Sequence, residues 1–227
     1  MRAGTGGRCV RPFRDRREAG RALAEALRRL RPEAPVVLAL PRGGVPVGHE
    51  VALALAAPLE VLVARKVGAP GEPEVGMGAV AEGGGLWIDR DLARAAGVPE
   101  RELAARVEGE REEVARRVRA YRGDRPLPPL AGRTAIVVDD GVARGGTARA
   151  ALRAVRALGP GRLLLAAPVI AGETIEDLRC EADEIVCVAA PLPFVAVGRW
   201  YEDFGQVTDG EVIDILARAR GEPVRTR

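Results

Sequence analysis

The segment that most constrains the fold of this chain is residues 135–147, with the sequence AIVVDDGVARGGT. Its apolar first half predicts a buried strand that ends in two adjacent carboxylates, Asp139 and Asp140. Small residues follow and lead into a helix patterned with alanine and leucine over residues 148–158. A strand, a glycine-rich turn and a helix in this order bring backbone N–H groups and the positive end of a helix dipole to one point. The segment therefore predicts an anion site with two carboxylates beside it.

Both ends of this anion site complement a phosphorylated sugar. Gly145 and Gly146 let the main chain approach a ligand without a side chain in the way. The Thr147 hydroxyl adds a hydrogen-bond donor, and the two carboxylates can accept hydrogen bonds from vicinal ribose hydroxyls. A strand followed by an acidic loop also occurs in many other α/β proteins, so the prediction depends on the whole pattern rather than on any part of it.

Apolar strand-like runs alternate with helical patterns along most of the chain, which predicts an α/β fold: an open, mostly parallel twisted sheet with helices on both faces. With 227 residues, of which 47% are hydrophobic, we expect a single domain over residues 1–227. The predicted strands cover residues 36–40, 59–64, 134–139, 162–169 and 184–189, and the predicted helices cover residues 14–30, a stretch ending at 55, 145–158, 172–180 and 209–219.

Three segments depart from this alternation. Residues 68–85 hold seven glycines, which with their flanks predict a flexible lid of loop and small hairpin over about 66–90. Residues 99–121 predict a strongly charged helix with a thin apolar stripe, interpreted as an insertion. Residues 191–208 concentrate aromatic side chains near the end of the chain.

Composition narrows the function classes. The 35 basic residues are scattered among 32 acidic ones, which gives little support for nucleic-acid binding. No apolar run reaches the ~18–20 residues of a membrane span, and three cysteines without a CxxC pair favour a reduced, cytoplasmic protein. With one histidine, the chain offers no His-rich metal site, and we predict no metal site built from protein ligands.

Lys66 is the only lysine among the 35 basic residues, and it directly follows a predicted strand beside Arg65. A compact ammonium differs from a planar guanidinium at a phosphate site. The alternative is that Lys66 has no role at such a site and is the one lysine left by chance in a chain rich in arginine.

Three loops are expected to meet at one edge of the sheet, at the carboxyl ends of their strands: residues 40–44, 64–68 and 139–147. Ligands of open α/β sheets bind at that edge. At this solvent edge, the two carboxylates should be replaceable without harm to the fold. Arginine and two glycines in the first of these loops, taken alone, are more often structural than functional.

The arrangement VVDDGVARGGT resembles the phosphoribosyl pyrophosphate signature of type I phosphoribosyltransferases, and the resemblance covers most of residues 14–205. It implies that the 5-phosphate is held by the end of the signature and that the pyrophosphate is held by the two other loops. The implied phosphate contacts are Ala143, Arg144, Gly145, Gly146 and Thr147, and the implied pyrophosphate contacts are Arg42, Gly43, Gly44, Arg65 and Lys66.

The resemblance also implies a reaction: a nucleobase nitrogen displaces pyrophosphate from phosphoribosyl pyrophosphate, with Mg²⁺ held mainly by the substrate. Asp139, Asp140, Lys66 and Arg42 would be the catalytic residues. Residues 191–208 resemble the hood that holds the base, where Phe194, Trp200 and Tyr201 are candidate contacts unless they form a local apolar patch or a dimer contact. Members of this family commonly form homodimers, which we expect here.

Two positions depart from the family pattern. Arg144 replaces a small residue, so it either adds a cation to the phosphate site or crowds the loop. Ala143 replaces the aspartate that exchanges a proton with 6-oxopurines, which predicts weak or no activity with guanine and hypoxanthine. These departures keep a second hypothesis open: a regulator on the same fold that binds phosphoribosyl pyrophosphate or a nucleotide without turnover. An unrelated phosphotransferase is disfavoured because the chain lacks a GxxxxGK[ST] loop.

Overall fold

The computed structural model describes residues 11–222, apart from the side chains of residues 73–75, so both ends of the expected domain over 1–227 lie outside the described residues. In the described part, the helices are α1 Arg16–Leu27, α2 Gly44–Leu55, α3 Arg90–Ala95, α4 Glu100–Arg122, α5 Gly146–Arg156, α6 Gly172–Leu178 and α7 Asp209–Ala219. The strands are β1 Val36–Ala39, β2 Leu59–Val61, β3 Ala64–Ala69, β4 Glu72–Ala81, β5 Leu86–Ile88, β6 Thr134–Val138, β7 Arg162–Val169 and β8 Glu184–Ala189.

Five parallel strands form the central sheet in the order β2-β1-β6-β7-β8. Successive side chains of a strand point to opposite faces, and β1 shows this clearly. Val37 and Ala39 belong to an apolar cluster with residues of α1 and α2, whereas Val36 and Leu38 belong to one with residues of α5. Helices thus cover both faces of a parallel sheet, which confirms the predicted fold class.

Most predicted elements keep their bounds within a few residues, and the two clear differences have local causes. The first helix ends at Leu27 rather than near residue 30, and a 3₁₀ turn over Arg28–Glu33 contains Pro32, which has no N–H to continue an α-helix. The strand predicted over residues 59–64 is divided, because β2 ends at Val61 and Ala64 already begins β3 of another sheet.

That second sheet occupies most of the segment predicted as a flexible lid. Strands β3, β4 and β5 pair antiparallel and form what we call the small sheet. Met77, Ala79 and Val80 are buried in it, although the sequence around them is rich in glycine. Gly78 is needed there, because a Cβ at this position would lie 2.6 Å from the carbonyl oxygen of Trp87. The predicted small hairpin is therefore present as β4 and β5, while the predicted loop before it forms β3 and the start of β4 in a sheet packed on the core.

The predicted charged helix is present as α4, with bounds one residue from those expected. Its apolar stripe is buried at Leu103, Val107 and Val114, in a cluster shared with the small-sheet residues Val67 and Val80. Among residues 11–222, no helix combines the length and the apolar character that crossing a bilayer requires.

A buried ion pair joins α4 to both sheets. Arg122 donates to the carboxylate of Glu82, and the two side chains are 6% and 9% exposed. Arg122 Nη1 also donates to the carbonyl oxygen of Val61 at 3.0 Å, and Glu82 Oε1 accepts from the backbone N–H of Val63 at 3.1 Å. The pair thus ties the end of β2 and the end of β4 to the last turn of α4.

We expect Arg122→Ala to lower the free energy of unfolding by roughly 3–5 kcal/mol, because removing one partner leaves the other charge buried and unpaired. Arg116→Ala, which breaks an ion pair whose arginine is 60% exposed, should cost at most about 1 kcal/mol. Urea denaturation of both variants measures the difference. Equal losses would contradict the structural role of the buried pair.

Candidate functional site

A cavity of about 330 Å³ lies between the signature loop, residues 139–147, and the small sheet. Its floor is the loop that joins β6 to α5, and its wall comes from β3, β4 and β5. The residues that line it are Lys66, Gly76, Gly78, Trp87, Asp139 and residues 141–148.

The floor of the cavity is held in place by neighbouring elements. Gly145 precedes α5 with a φ of +74°, a conformation that favours glycine. The carbonyl oxygen of Ala143 accepts a hydrogen bond from the Thr174 hydroxyl at 2.5 Å, and the N–H of Val142 donates to Val169. The first N–H groups of an α-helix have no acceptor within the helix, so the first turn of α5 offers donors to an anion in the cavity.

Sheet geometry decides which of the two adjacent cations faces the cavity. Arg65 and Lys66 are consecutive in β3 and therefore point to opposite faces. Lys66 lines the cavity, and Gly76 leaves room for its side chain, because a Cβ there would lie 2.8 Å from Lys66 Cδ. Arg65 turns to α4 and pairs with Glu110 at 2.8 Å. Of the two predicted pyrophosphate contacts in β3, the structure brings only Lys66 to the cavity.

The two signature carboxylates also separate. Asp139 lines the cavity, and its Oδ1 accepts from the backbone N–H of Asp140 at 2.9 Å. The Asp140 side chain is 14% exposed, outside the cavity lining, and accepts from Nε of Arg16 at 2.7 Å. The expectation that both acids lie at a solvent edge is wrong, because α1 covers Asp140 with a charged partner.

Burial changes the titration of this pair. Loss of solvent raises the pKa of Asp139 well above 3.8, and the adjacent charge of Asp140 raises it further. The pKa of Asp140 is also raised by burial, while the neighbouring Arg16 guanidinium opposes that shift. A carboxylate kept partly desolvated in this way gains from a cation placed in the cavity.

The loop after β1 packs directly against these carboxylates. A Cβ on Gly43 would lie 2.0 Å from Asp140 Oδ2, and one on Gly44 would lie 2.7 Å from the carbonyl oxygen of Val138. The peptide bond between Pro41 and Arg42 is cis. The glycines of this loop are therefore required by close packing against β6 even before a ligand is considered.

Arg42 is not among the residues that line the cavity. Its Nη1 lies 3.7 Å from Oδ1 of Asp209, at the start of α7, and the same oxygen accepts a hydrogen bond from the Tyr121 hydroxyl at 2.5 Å. Burial raises the pKa of Tyr121 to about 12, so its hydroxyl stays protonated and donates. Asp209 thus holds the Arg42 side chain outside the cavity lining.

Two aromatic residues of the hood, residues 191–208, lie beside Arg16 rather than in the cavity lining: Tyr201 and Phe204. The Tyr201 hydroxyl donates to the carbonyl oxygen of Asp140, and its ring packs with those of Phe13 and Phe204. The guanidinium carbon of Arg16 lies 4.1 Å from the Phe204 ring centroid. Tyr201 is buried among these groups, so its predicted role in stacking on a base does not fit the structure.

The other two candidate base contacts are more accessible. Phe194 is half-buried, and Trp200 is half-buried against the cluster of Phe13, Ala19 and Tyr201. Neither of them lines the cavity.

Sequence reasoning missed two residues that shape this site. Trp87 lines the cavity, and only the register of the three antiparallel strands, which a lid prediction does not provide, could have placed it beside Lys66. Arg16 neutralises Asp140 from 124 positions away in the sequence, and no local pattern announces such a contact.

Comparison with known proteins gives one consistent result. The family model of the phosphoribosyl transferase domain matches residues 15–192. Two proteins of Mycobacterium tuberculosis, from strains CDC 1551 and H37Rv, each bear the name "putative phosphoribosyl transferase" and are 44% identical over 207 residues, 91% of this chain. The chain spans about half the length of these curated relatives, since the match covers 47% of them.

Two solved structures are similar to this chain. The crystal structure of TT1426 from Thermus thermophilus is 46% identical, with a TM-score of 0.75, over 91% of this chain and 98% of that one. The AQ2163 protein from Aquifex aeolicus is 15% identical with a TM-score of 0.50, over 88% of this chain and 84% of that one, which is a likeness of fold alone.

Asp139→Asn should raise the melting temperature at pH 7. Since the folded-state pKa of Asp139 lies above 3.8, ionisation at neutral pH destabilises the folded state. Each 1 kcal/mol recovered shifts the melting temperature of a domain of this size by roughly 2–4 °C. The gain should shrink as the pH falls through the raised pKa towards 3.8 and disappear below that value, where the carboxyl is protonated in both states.

Thermal melts of both proteins across this pH range measure the effect. Asp91→Asn, at a side chain that is 89% exposed, serves as the control and should change little. A lower melting temperature of Asp139→Asn at pH 7 would contradict the raised pKa.

Proposed function

Because the chain belongs to the family of phosphoribosyl transferase domains, we propose that it transfers the 5-phosphoribosyl group from phosphoribosyl pyrophosphate to a nucleobase nitrogen and releases pyrophosphate. The observation that carries this proposal is the cavity in which the signature loop, Asp139 and Lys66 meet. It offers donors for a phosphate, a carboxylate for the sugar and a cation for the leaving group.

The 5-phosphate binds at the first turn of α5. The N–H groups around Gly145, Gly146 and Thr147 and the positive end of the helix dipole favour a dianion there. Arg144 and Ala143 are exposed in the same loop. Arg144 adds a positive charge at the mouth of the cavity without filling the helix terminus.

Asp139 serves the ribose. When the bond from C1 to pyrophosphate breaks, positive charge develops on the sugar ring, and a fixed carboxylate nearby stabilises it. Asp140 has a different role, because its carboxylate accepts a hydrogen bond from Arg16 and packs against Gly43. We therefore assign the direct ribose contact to Asp139 and a supporting role to Asp140.

Lys66 stabilises the departing pyrophosphate from the opposite wall of the cavity. Arg42 and the backbone of Gly43 and Gly44 form the adjacent rim, where Asp209 holds the Arg42 guanidinium. Positioning and electrostatics carry the reaction, since the mechanism requires no covalent nucleophile from the protein. Arg65 faces α4 and takes no part in this mechanism.

We propose Mg²⁺ as the cofactor. In the part of the chain that the structure describes, no group of three His, Cys, Asp or Glu side chains could hold a metal ion. A single carboxylate in the cavity, Asp139, fits an ion whose other ligands are substrate oxygens and water. When bound, Mg²⁺ neutralises charge on the pyrophosphate.

The acceptor base is tested by measuring pyrophosphate release from Mg²⁺–phosphoribosyl pyrophosphate with a panel of purine, pyrimidine and pyridine bases. We expect release that depends on one class of base, and weaker release with guanine than with adenine because Ala143 cannot exchange a proton. Robust turnover of guanine would refute the role given to position 143.

The same panel separates the proposed enzyme from a binding regulator. Calorimetry measures the binding of phosphoribosyl pyrophosphate in parallel with the assay. Asp139→Asn, which lacks the carboxylate proposed to contact the ribose, is the control that should bind less. Tight binding without release for any base would favour a regulator that uses the same cavity. Absence of both binding and release in folded protein would overturn the proposed function.

Lys66→Ala should lower turnover by at least about a hundredfold, as expected when a cation that stabilises developing charge is removed. Arg65→Ala is the matched control, since this neighbour points to the other face of β3 and pairs with Glu110. The control should retain most of the turnover, and both variants should melt within a few degrees of the parent protein. Equal losses of turnover in the two variants would contradict the assignment to Lys66.

A further inference from the structure

Trp87 lies where the small sheet meets the signature loop. Its ring lines the cavity, and the ring atoms Cζ3 and Cε3 lie 2.7 and 3.0 Å from the position of a Cβ built on Gly146. The third-nearest atom to that Cβ is also a carbon of the Trp87 ring, at 3.8 Å. The indole therefore packs on the first residue of α5, at the point where the helix offers its N–H groups.

The register of the small sheet connects Trp87 to Lys66. Ala79 of β4 is the direct partner of Lys66 on one side and of Trp87 on the other. Residues directly opposite one another across antiparallel strands project from the same face. Lys66, Ala79 and Trp87 thus form one row, and its central residue is buried in the cluster that includes α5.

Arg149 holds the indole from within α5. Its guanidinium carbon lies 5.1 Å from the centroid of the Trp87 ring, a distance at which cation and ring attract one another. Arg149 Nη2 also donates to the carbonyl oxygen of Asp177 in α6, at 3.3 Å. The ring is therefore placed by contacts with both the first residue and the second turn of α5.

We propose that Trp87 is a positioning residue of the phosphate site, which fixes the first turn of α5 against the small sheet so that the 5-phosphate binds at that turn while Lys66 faces the pyrophosphate. The indole also keeps water from one side of the bound phosphate, which strengthens the charge interactions there. A site held in its binding geometry before the ligand arrives loses less free energy on binding. This inference rests on the proposed function, because it takes the 5-phosphate as the anion in the cavity.

Tryptophan fluorescence provides a direct readout, because the chain has only two tryptophans. Trp200→Phe leaves Trp87 as the single reporter, and ribose 5-phosphate, which lacks a base, is the probe. We expect a saturable change in emission with ribose 5-phosphate and none with ribose at the same concentrations. A saturable calorimetric signal without any change in emission would overturn the proposal.

Binding to variants separates a positioning role from mere packing. Trp87→Ala should weaken ribose 5-phosphate binding by about tenfold, equivalent to roughly 1.4 kcal/mol. Leu86→Ala is the control: it removes an apolar side chain from the same strand, but one that packs in the cluster on the other face. The control should bind ribose 5-phosphate as the parent protein does.

A double-variant cycle tests the contact itself. Gly146→Ala places a methyl group against the indole and should weaken ribose 5-phosphate binding, whereas adding Gly146→Ala to Trp87→Ala should cost much less. Circular dichroism identifies any variant that fails to fold, and the fluorescence titration then decides alone. Additive losses in folded variants would contradict the contact.

The outcomes also separate this inference from the proposed function. If phosphoribosyl pyrophosphate and ribose 5-phosphate bind equally to the parent protein and to Trp87→Ala, the positioning role is wrong while the function stands. If neither ligand binds to the folded parent protein, the proposed function is wrong and the positioning role fails with it.

Discussion

The ion pair between Arg16 and Asp140 is the contact on which the arrangement of the site depends. Burial raises the pKa values of the two adjacent carboxylates at the end of the strand, and the charge of Asp140 raises that of Asp139 further. Arg16 brings a positive charge to one of them at 2.7 Å, and it is itself held by Gly205 and by the ring of Phe204. The first helix and the hood thereby stabilise a pair of acids of which one remains directed into the cavity.

The small sheet shows how strand alternation gives neighbouring residues different roles. Its face towards α5 presents Lys66 and Trp87 to the cavity, while its face towards α4 carries Arg65 and the apolar residues that anchor it. The buried pair of Arg122 and Glu82 attaches one end of this sheet to the core. The face of the small sheet that lines the cavity is thus held in place by apolar contacts on its other face and by the ion pair of Arg122 and Glu82.

Local pattern is sufficient to predict the central sheet and the signature loop. The central strands are three to eight residues long and mostly apolar, and they follow from the hydrophobic pattern, as does the helix over Asp209–Ala219. The signature predicts the glycine turn around position 145. Long-range pairing is not accessible in the same way. Asp139 and Asp140 have different surroundings because Arg16 of α1 pairs with Asp140 alone. Trp87 lines the cavity because of the register of β4 with β5. Arg65 does not line the cavity that Lys66 lines, because its segment forms a strand whose alternation turns this side chain towards α4.

The contacts of Arg42 limit when this part of the site can form during synthesis of the chain. The loop around Arg42 leaves the ribosome early, but Asp209, which lies 3.7 Å from it, is synthesised 167 residues later. Tyr201, whose hydroxyl binds the backbone of Asp140, and Gly205, which binds Arg16, also belong to this late part of the chain. A nascent chain can therefore pair β1, β2 and β6 while the residues that contact Arg16, Asp140 and Arg42 from this late part are still to be made. The last described helix, α7, therefore completes the apolar core and the contacts of Arg42 together, since Val212 and Leu216 are buried in that core.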